Sequence, residues 1–203
     1  DAVDFDVGVF TNLTRNHLDY HGTMEAYFAA KLRFFTELLR DSAKTETRAI
    51  VNIEDAHGKI LAEGLKVKSK THKKPGVWTM GSAETAESVV LKPDFSYRIL
   101  KQGFDGVAFD LVSPAGSHRL HLAMAGVHNV QNAVSAFAVG LAAGVEVSSI
   151  ERAIESIRGV NGRLEHVVNS RGLHVFVDYA HTDDALAAIL RLLGDIREES
   201  GRA

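Results

Sequence analysis

The sequence contains no cysteine, which excludes a disulfide framework, a thiolate metal site and a cysteine nucleophile, and is compatible with a cytoplasmic protein. It has no excess of basic charge either: the formal net charge is −3, so nucleic acid is not the expected partner. No apolar run approaches the roughly 18 residues of a membrane span. The first residues, Asp1-Ala2-Val3-Asp4, are acidic and carry no signal-peptide pattern. Internal repeats and low-complexity segments are also missing. What is present is ample apolar material, 45% of 203 residues, enough for a sizeable core and too much for wholesale disorder.

The patterning reads as alternating strands and helices. Val7-Gly8-Val9-Phe10 is a short apolar run bounded by polar residues, the mark of a buried strand. After a polar loop, Thr23 is placed to cap a helix with Glu25 in its first turn. Tyr27, Phe28, Leu32, Phe35, Leu38 and Leu39 then recur at helical spacing as one apolar stripe. Arg48 to Ile53 reads as a second strand, and Asp55 to Glu63 as a short helix weakened by Gly58. Lys66 to Pro75 is a basic stretch without interleaved aromatics, which reads as a solvated loop. From Gly76 to Leu122 the period becomes two, in Val89/Leu91, Tyr97/Ile99 and Val107/Phe109/Leu111, and predicts an antiparallel meander. Asn129 to Ala143 is an Ala/Val-rich helix closed by Gly144, and Ser149 to Ile157 a second helix. Leu164 to Val168 and Leu173 to Val177 read as strands joined at Asn169-Ser170-Arg171-Gly172, followed by a helical run from Asp184 to Ile196. The order predicts an α/β fold with a mainly parallel sheet flanked by helices and a small antiparallel annex. Both ends read as cut, as though the chain were an excised domain.

Two places could carry chemistry. Lys31 lies on the apolar stripe rather than the wet face, four residues after Tyr27 and four before Phe35. Such a lysine can snorkel to solvent from the stripe's edge. Alternatively it can be held near buried surface with a lowered pKa, partly neutral and able to add carbon dioxide. The carbamate so formed is anionic and suits a hard metal such as magnesium. The loop before that helix, Asn16-His17-Leu18-Asp19-Tyr20-His21, holds two histidines and a carboxylate in six residues. It is either a metal or anion site or an ordinary polar loop.

Four segments, taken together, resemble the Mur ligase family, most closely its MurE branch, the tripeptide synthetases. Thr11 to Lys31 is similar to T-N-x-x-x-D-H-L-D-Y-H-G followed by a helix ending A-A-K, with Asn16 standing where the family has Asp. Gly126-Val127-His128-Asn129-Val130-Gln131-Asn132-Ala133 is similar to G-x-x-N-x-x-N-A. Gly162-Arg163-Leu164-Glu165 is similar to P-G-R-x-E, with Asn161 in place of proline. Asp178-Tyr179-Ala180-His181-Thr182-Asp183-Asp184-Ala185-Leu186 is similar to D-Y-A-H-T-P-D-A-L, with Asp183 in place of proline.

The resemblance implies an ATP-dependent ligase of peptidoglycan synthesis. It would add the third amino acid, meso-diaminopimelate or lysine, to UDP-N-acetylmuramoyl-L-alanyl-D-glutamate through an acyl phosphate. The expected cofactors are ATP and Mg2+, the metal held by His17 and by Lys31 as its carbamate. The nucleotide would meet Asn129, Asn132, Arg163, Asp178 and His181, with Asn129 also capping its helix and Asn132 facing the base. No membrane or nucleic-acid partner is implied, and the location is cytoplasmic. The implied division is a central ATPase domain over 1–178 and the start of a C-terminal ligase domain over 179–203. Two other readings stay open: a folylpolyglutamate synthetase-like ligase, and a non-catalytic nucleotide- or peptide-binding module of degenerate ligase fold. The phosphate loop G-T-x-G-K-T and the substrate segment E-x-S-S-x, which the family carries upstream, are not in this sequence.

The 203-residue chain is therefore expected to bind ATP weakly and to show no steady turnover alone. The remaining exposed charge contacts contribute about 1 kcal/mol or less each, and ordering the nucleotide costs more. Isothermal titration with ATP and magnesium, beside a phosphate-release assay, checks this. Micromolar binding or turnover would reveal a phosphate site that these motifs do not contain.

Overall fold

The computed structural model describes residues 3–14, 18–69, 75–84, 92–181 and 183–199. Strands β1 (Val7–Phe10), β2 (Arg48–Asn52), β3 (Gly76–Ser82), β4 (Phe95–Gly103), β5 (Gly106–Ser113) and β6 (Gly116–Leu122) form one six-stranded sheet in chain order. The pairings β1–β2, β2–β3 and β3–β4 are parallel, and β4–β5 and β5–β6 antiparallel. The antiparallel annex is thus a continuation of the main sheet. The parallel part extends further than the sequence suggests: Gly76–Ser82 pairs parallel with β2, and the meander is confined to 95–122. The cause is burial, since Thr79 to Ser82 are all buried and leave no polar face to alternate. The Val89/Leu91 alternation lies outside the described residues.

The helices are α1 (Leu18–His21), α2 (Met24–Arg33), α3 (Ala56–Ser69), α4 (Val127–Ala142), α5 (Val147–Ser156) and α6 (Asp183–Glu199). Strands β7 (Glu165–Val167) and β8 (Val175–Val177) form a separate antiparallel ribbon. The sheet is a filling between two apolar layers, and β2 shows how period two serves both. Ile50 points into a cluster with Met80, Phe95, Phe109, Leu120 and Phe137 beneath α4 and α5. Its neighbours Ala49 and Val51, with Ile53 beyond, join Phe10, Phe35, Leu39 and Leu61 beneath α2 and α3. A strand buried on both faces reads as a continuous apolar run, as it does here.

Thr23 caps α2 as expected, its hydroxyl accepting from Ala26 N at 3.1 Å. The stripe departs from expectation at Leu38, which is 44% exposed while Leu39 is fully buried. After Arg33 the helix widens into a π segment, Phe34–Leu38, closed by Leu39 N donating to Phe34 O at 2.8 Å. The wider turn advances the register and carries Leu39, rather than Leu38, onto the buried face. Helix α3 is longer than predicted and takes up Lys66 and Lys68, so the basic stretch is helical at its start; residues 70–74 lie outside the described residues.

Gly58 within α3 has a packing reason. A Cβ there would lie 1.9 Å from Asn52 O, so the helix start can approach the end of β2 only as glycine. Gly64, on the same helix, has nothing within 4 Å of such a Cβ. The two substitutions are expected to differ in sign. Gly64→Ala should stabilise by about 0.5–1 kcal/mol through helix propensity, whereas Gly58→Ala should destabilise by about 1–3 kcal/mol through overpacking. Urea denaturation of the two variants measures the contrast.

Candidate functional site

The second half of the chain builds a cavity of about 930 Å³ between the start of α4, the 160–164 turn, the 178–181 segment and α6. Asn129, Asn132, Arg163, Asp178 and His181 all line it. The nucleotide-facing group expected from sequence is therefore brought together by the fold. His128 and Tyr179, and an apolar wall that includes Val127, Ile189 and Leu192, also line it.

Each polar group is placed by a local cause. Gly126, with φ 101°, is the residue before α4, and the turn bends there because no side chain opposes it. This corrects the expectation that Asn129 caps the helix. Asn129 lies within the first turn, 6% exposed, and its amide donates back to Ala125 O at 2.7 Å. Asn129 therefore ties the helix start to the chain preceding it, while Asn132, one turn further along and exposed, is free to present its amide to the cavity.

The 160–164 turn is held from the other side. Asp178 accepts from Leu164 N through one carboxylate oxygen and from Ala180 N through the other, both at 2.6 Å. Tyr179 N donates to Gly162 O at 2.8 Å, and Gly162 N to the Glu165 carboxylate at 2.9 Å. This grip holds Leu164 at φ 48°, the one positive-φ residue other than glycine among the described residues. Asp178 thus acts first as a strut, although each oxygen retains a lone pair for a ligand hydroxyl. The Arg163 guanidinium stands 5.6 Å from the centre of the Tyr179 ring, and His181, whose Nδ1 meets Tyr179 O at 2.8 Å, packs edge-on against the same ring at 5.0 Å. Tyr179 is 67% exposed and spaces these two nitrogen-bearing groups.

His128 and Tyr179 were not singled out from sequence, although both lie inside the quoted motifs. An aromatic residue next to a motif's polar residues was the available signal. The His128 residue is exposed overall, but partial desolvation where it meets the cavity wall lowers its imidazole below the ordinary pKa, and the nearby Asp178 carboxylate pulls it partly back.

Lys31 does not line this cavity. It is half-buried on α2, its ammonium 5.1 Å from the centre of the Tyr27 ring, and His21 stacks on that ring at 4.5 Å. His17 lies outside the described residues, as do Asn16 and the side chain of Asp19. Among the described residues no three His, Asp or Glu side chains converge as a metal cage. No described helix is long and apolar enough to cross a membrane.

Residues 1–140 match the Mur ligase middle domain. The chain belongs to the Mur ligase family. It is 40% identical over 197 residues, 97% of its length, to the UDP-N-acetylmuramoyl-L-alanyl-D-glutamate–2,6-diaminopimelate ligase of Geobacter metallireducens, of which it covers 36%. It is 32% identical over 93% of its length to the corresponding L-lysine ligase of Staphylococcus aureus, covering 35% of that protein. A solved UDP-N-acetylmuramoyl-L-alanyl-D-glutamate–2,6-diaminopimelate ligase superposes with a TM-score of 0.73 at 29% identity, over 95% of this chain and 36% of that one. The chain thus spans a little over a third of the length of the relatives it matches. The mostly parallel sheet flanked by helices is the Mur ligase middle-domain fold.

A pH dependence follows from His128. Its folded pKa is lowered, so the unfolded state binds more protons as pH falls through the ordinary imidazole range near 6.5. The stability it contributes is complete above that range and is lost on acidification. Asp178→Asn should lower the His128 midpoint further, by removing the one attraction for its cation, and imidazole carbon-proton NMR reads this directly. A rise in the midpoint would contradict the assigned balance.

Proposed function

We propose that the chain is the nucleotide-handling part of an ATP-dependent amide-bond-forming ligase that adds the third amino acid to UDP-N-acetylmuramoyl-L-alanyl-D-glutamate. One observation carries the reading: Asn129, Asn132, Arg163, Asp178 and His181, contributed by three separate segments, meet at one cavity. Its volume falls within the roughly 300–1,000 Å³ of small-molecule sites. The relatives' names, a diaminopimelate ligase and an L-lysine ligase, support the acceptor class and leave the added amino acid as meso-diaminopimelate or lysine.

In this reading the apolar wall and the Asn132 amide take the adenine, because an amide both donates and accepts along a base edge. Asp178 accepts from a ribose hydroxyl through a remaining lone pair. Arg163, with its fixed planar charge, faces the phosphates, and His181 stands beside them. The γ-carboxylate of the D-glutamate attacks the terminal phosphorus of ATP, breaking the bond to the β–γ bridging oxygen and releasing ADP. The resulting acyl phosphate is then attacked by the amine of the incoming amino acid, which displaces phosphate. Lys31 as a carbamate, with His17, would present hard anionic and imidazole donors to Mg2+, which when bound neutralises phosphate charge. We assign residues 1–178 to the central domain and 179–203 to the start of a C-terminal ligase domain, acting in the cytoplasm.

The test is NMR on the 15N-labelled chain. Millimolar ATP should shift Asn132, Arg163 and Tyr179, and Arg163→Ala should weaken the response about 3–5-fold, as for one exposed charge contact. With 13C-bicarbonate a carbamate signal should appear and vanish in Lys31→Ala. Shifts confined to another face would refute the nucleotide assignment, and a carbamate signal that survives Lys31→Ala would refute the lysine.

A further inference from the structure

The cavity and the Lys31 helix are built from different halves of the chain, yet the short turn between β2 and α3 touches the Lys31 helix on one side and, on the other, the residue that precedes the cavity-lining Asn132. Asn52, buried at the end of β2, donates from its amide to Thr11 O at 2.9 Å. Asp55 accepts from Leu13 N at 3.0 Å through one oxygen and from His57 N and Gly58 N, at 2.8 and 3.1 Å, through the other. One carboxylate therefore caps α3 and holds the loop that follows β1, across 42 positions of sequence. His57, oriented on the first turn of α3, packs at 4.9 Å against Phe28, which lies three residues before Lys31 on α2. The same turn faces the other way through Glu54. Its Oε2 accepts from Tyr97 Oη and from Gln131 Nε2, each at 2.7 Å. Burial first, and the Glu54 hydrogen bond second, raise the Tyr97 hydroxyl well above the ordinary phenol range, so it stays a donor. Gln131 is the residue before Asn132 on α4.

We infer that Glu54 and Asp55 are positioning residues, Asp55 for the loop after β1 and the Lys31 helix, Glu54 for the Asn132 end of α4. This rests on the proposed function for what is positioned, and on geometry alone for the positioning. The two adjacent carboxylates point to opposite sides, so each governs one half of the site. A merely structural role would make the two halves fail together. Positioning makes them fail separately.

The experiment uses the 203-residue chain with Asp55→Ala and Glu54→Gln, and Asp55→Asn as a conservative rescue that keeps one acceptor oxygen. In Asp55→Ala the Leu13 amide should exchange at least about tenfold faster, having lost a part-buried acceptor. The Lys31 carbamate signal from 13C-bicarbonate should fall severalfold, while the ATP-induced shift at Asn132 stays unchanged. Asp55→Asn should restore much of the carbamate signal. Glu54→Gln should do the reverse, reducing the Asn132 response severalfold and leaving Leu13 exchange and the carbamate signal as they were. Unchanged Leu13 exchange in Asp55→Ala, or proportional loss of both readouts in either variant, overturns the positioning roles. Absence of carbamate and of ATP shifts in the unmodified chain overturns the functional reading instead, with Leu13 exchange still deciding the role of Asp55.

Discussion

Helix α3 begins so close to the end of β2 that its first turn has no room for a side chain at position 58. That closeness gathers Asn52, Glu54 and Asp55 at one end of β2, where they bond to the loop after β1 and to α4. A parallel strand leaves its final backbone groups and the start of the next helix at one end, and α/β folds gather their ligands there. Here that end of β2 is occupied by protein groups that grip one another. From the end of β2 and this short turn the loop after β1 takes two hydrogen bonds, the α2 helix a ring contact and the α4 helix one hydrogen bond.

The fold was legible wherever burial imposes a period. The stripe of α2, the continuous apolar run of β2 and the alternation of β4 to β6 all followed from which face must be dry. Reading failed where geometry broke the period without a sequence mark. Leu38 leaves the stripe while Leu39 keeps its place because of a π turn, and nothing about Phe34-Phe35-Thr36-Glu37-Leu38 announces one. Gly76–Ser82 has no wet face, so neither its strand partners nor their direction could be taken from alternation.

The site was legible in a different way. No period or spacing joins Asn132 to Arg163 or Asp178; the family resemblance named them, and the fold supplies the cavity at which they meet. The resemblance did not say what holds them. Asp178 reads as a ligand group in sequence but spends a hydrogen bond from each oxygen on the backbone. Asn129 reads as a cap but works as an internal tie. Glu54 and Asp55 carried no signal at all, because a carboxylate after a strand is ordinarily just a helix start.

Leu164 has a further consequence. A leucine in the left-handed region, 6% exposed, stays there only because Asp178 and the 162–165 turn hold its backbone. Positive φ at a bulky residue costs on the order of 1–3 kcal/mol, and burial beside Ala125 and Ile196 offsets it. Positions 164 and 178 are therefore energetically coupled. Glycine at 164 would relax the turn at the loss of an apolar contact, whereas loss of the aspartate while the leucine remains would leave it strained. What one position tolerates is set by the backbone angle at the other.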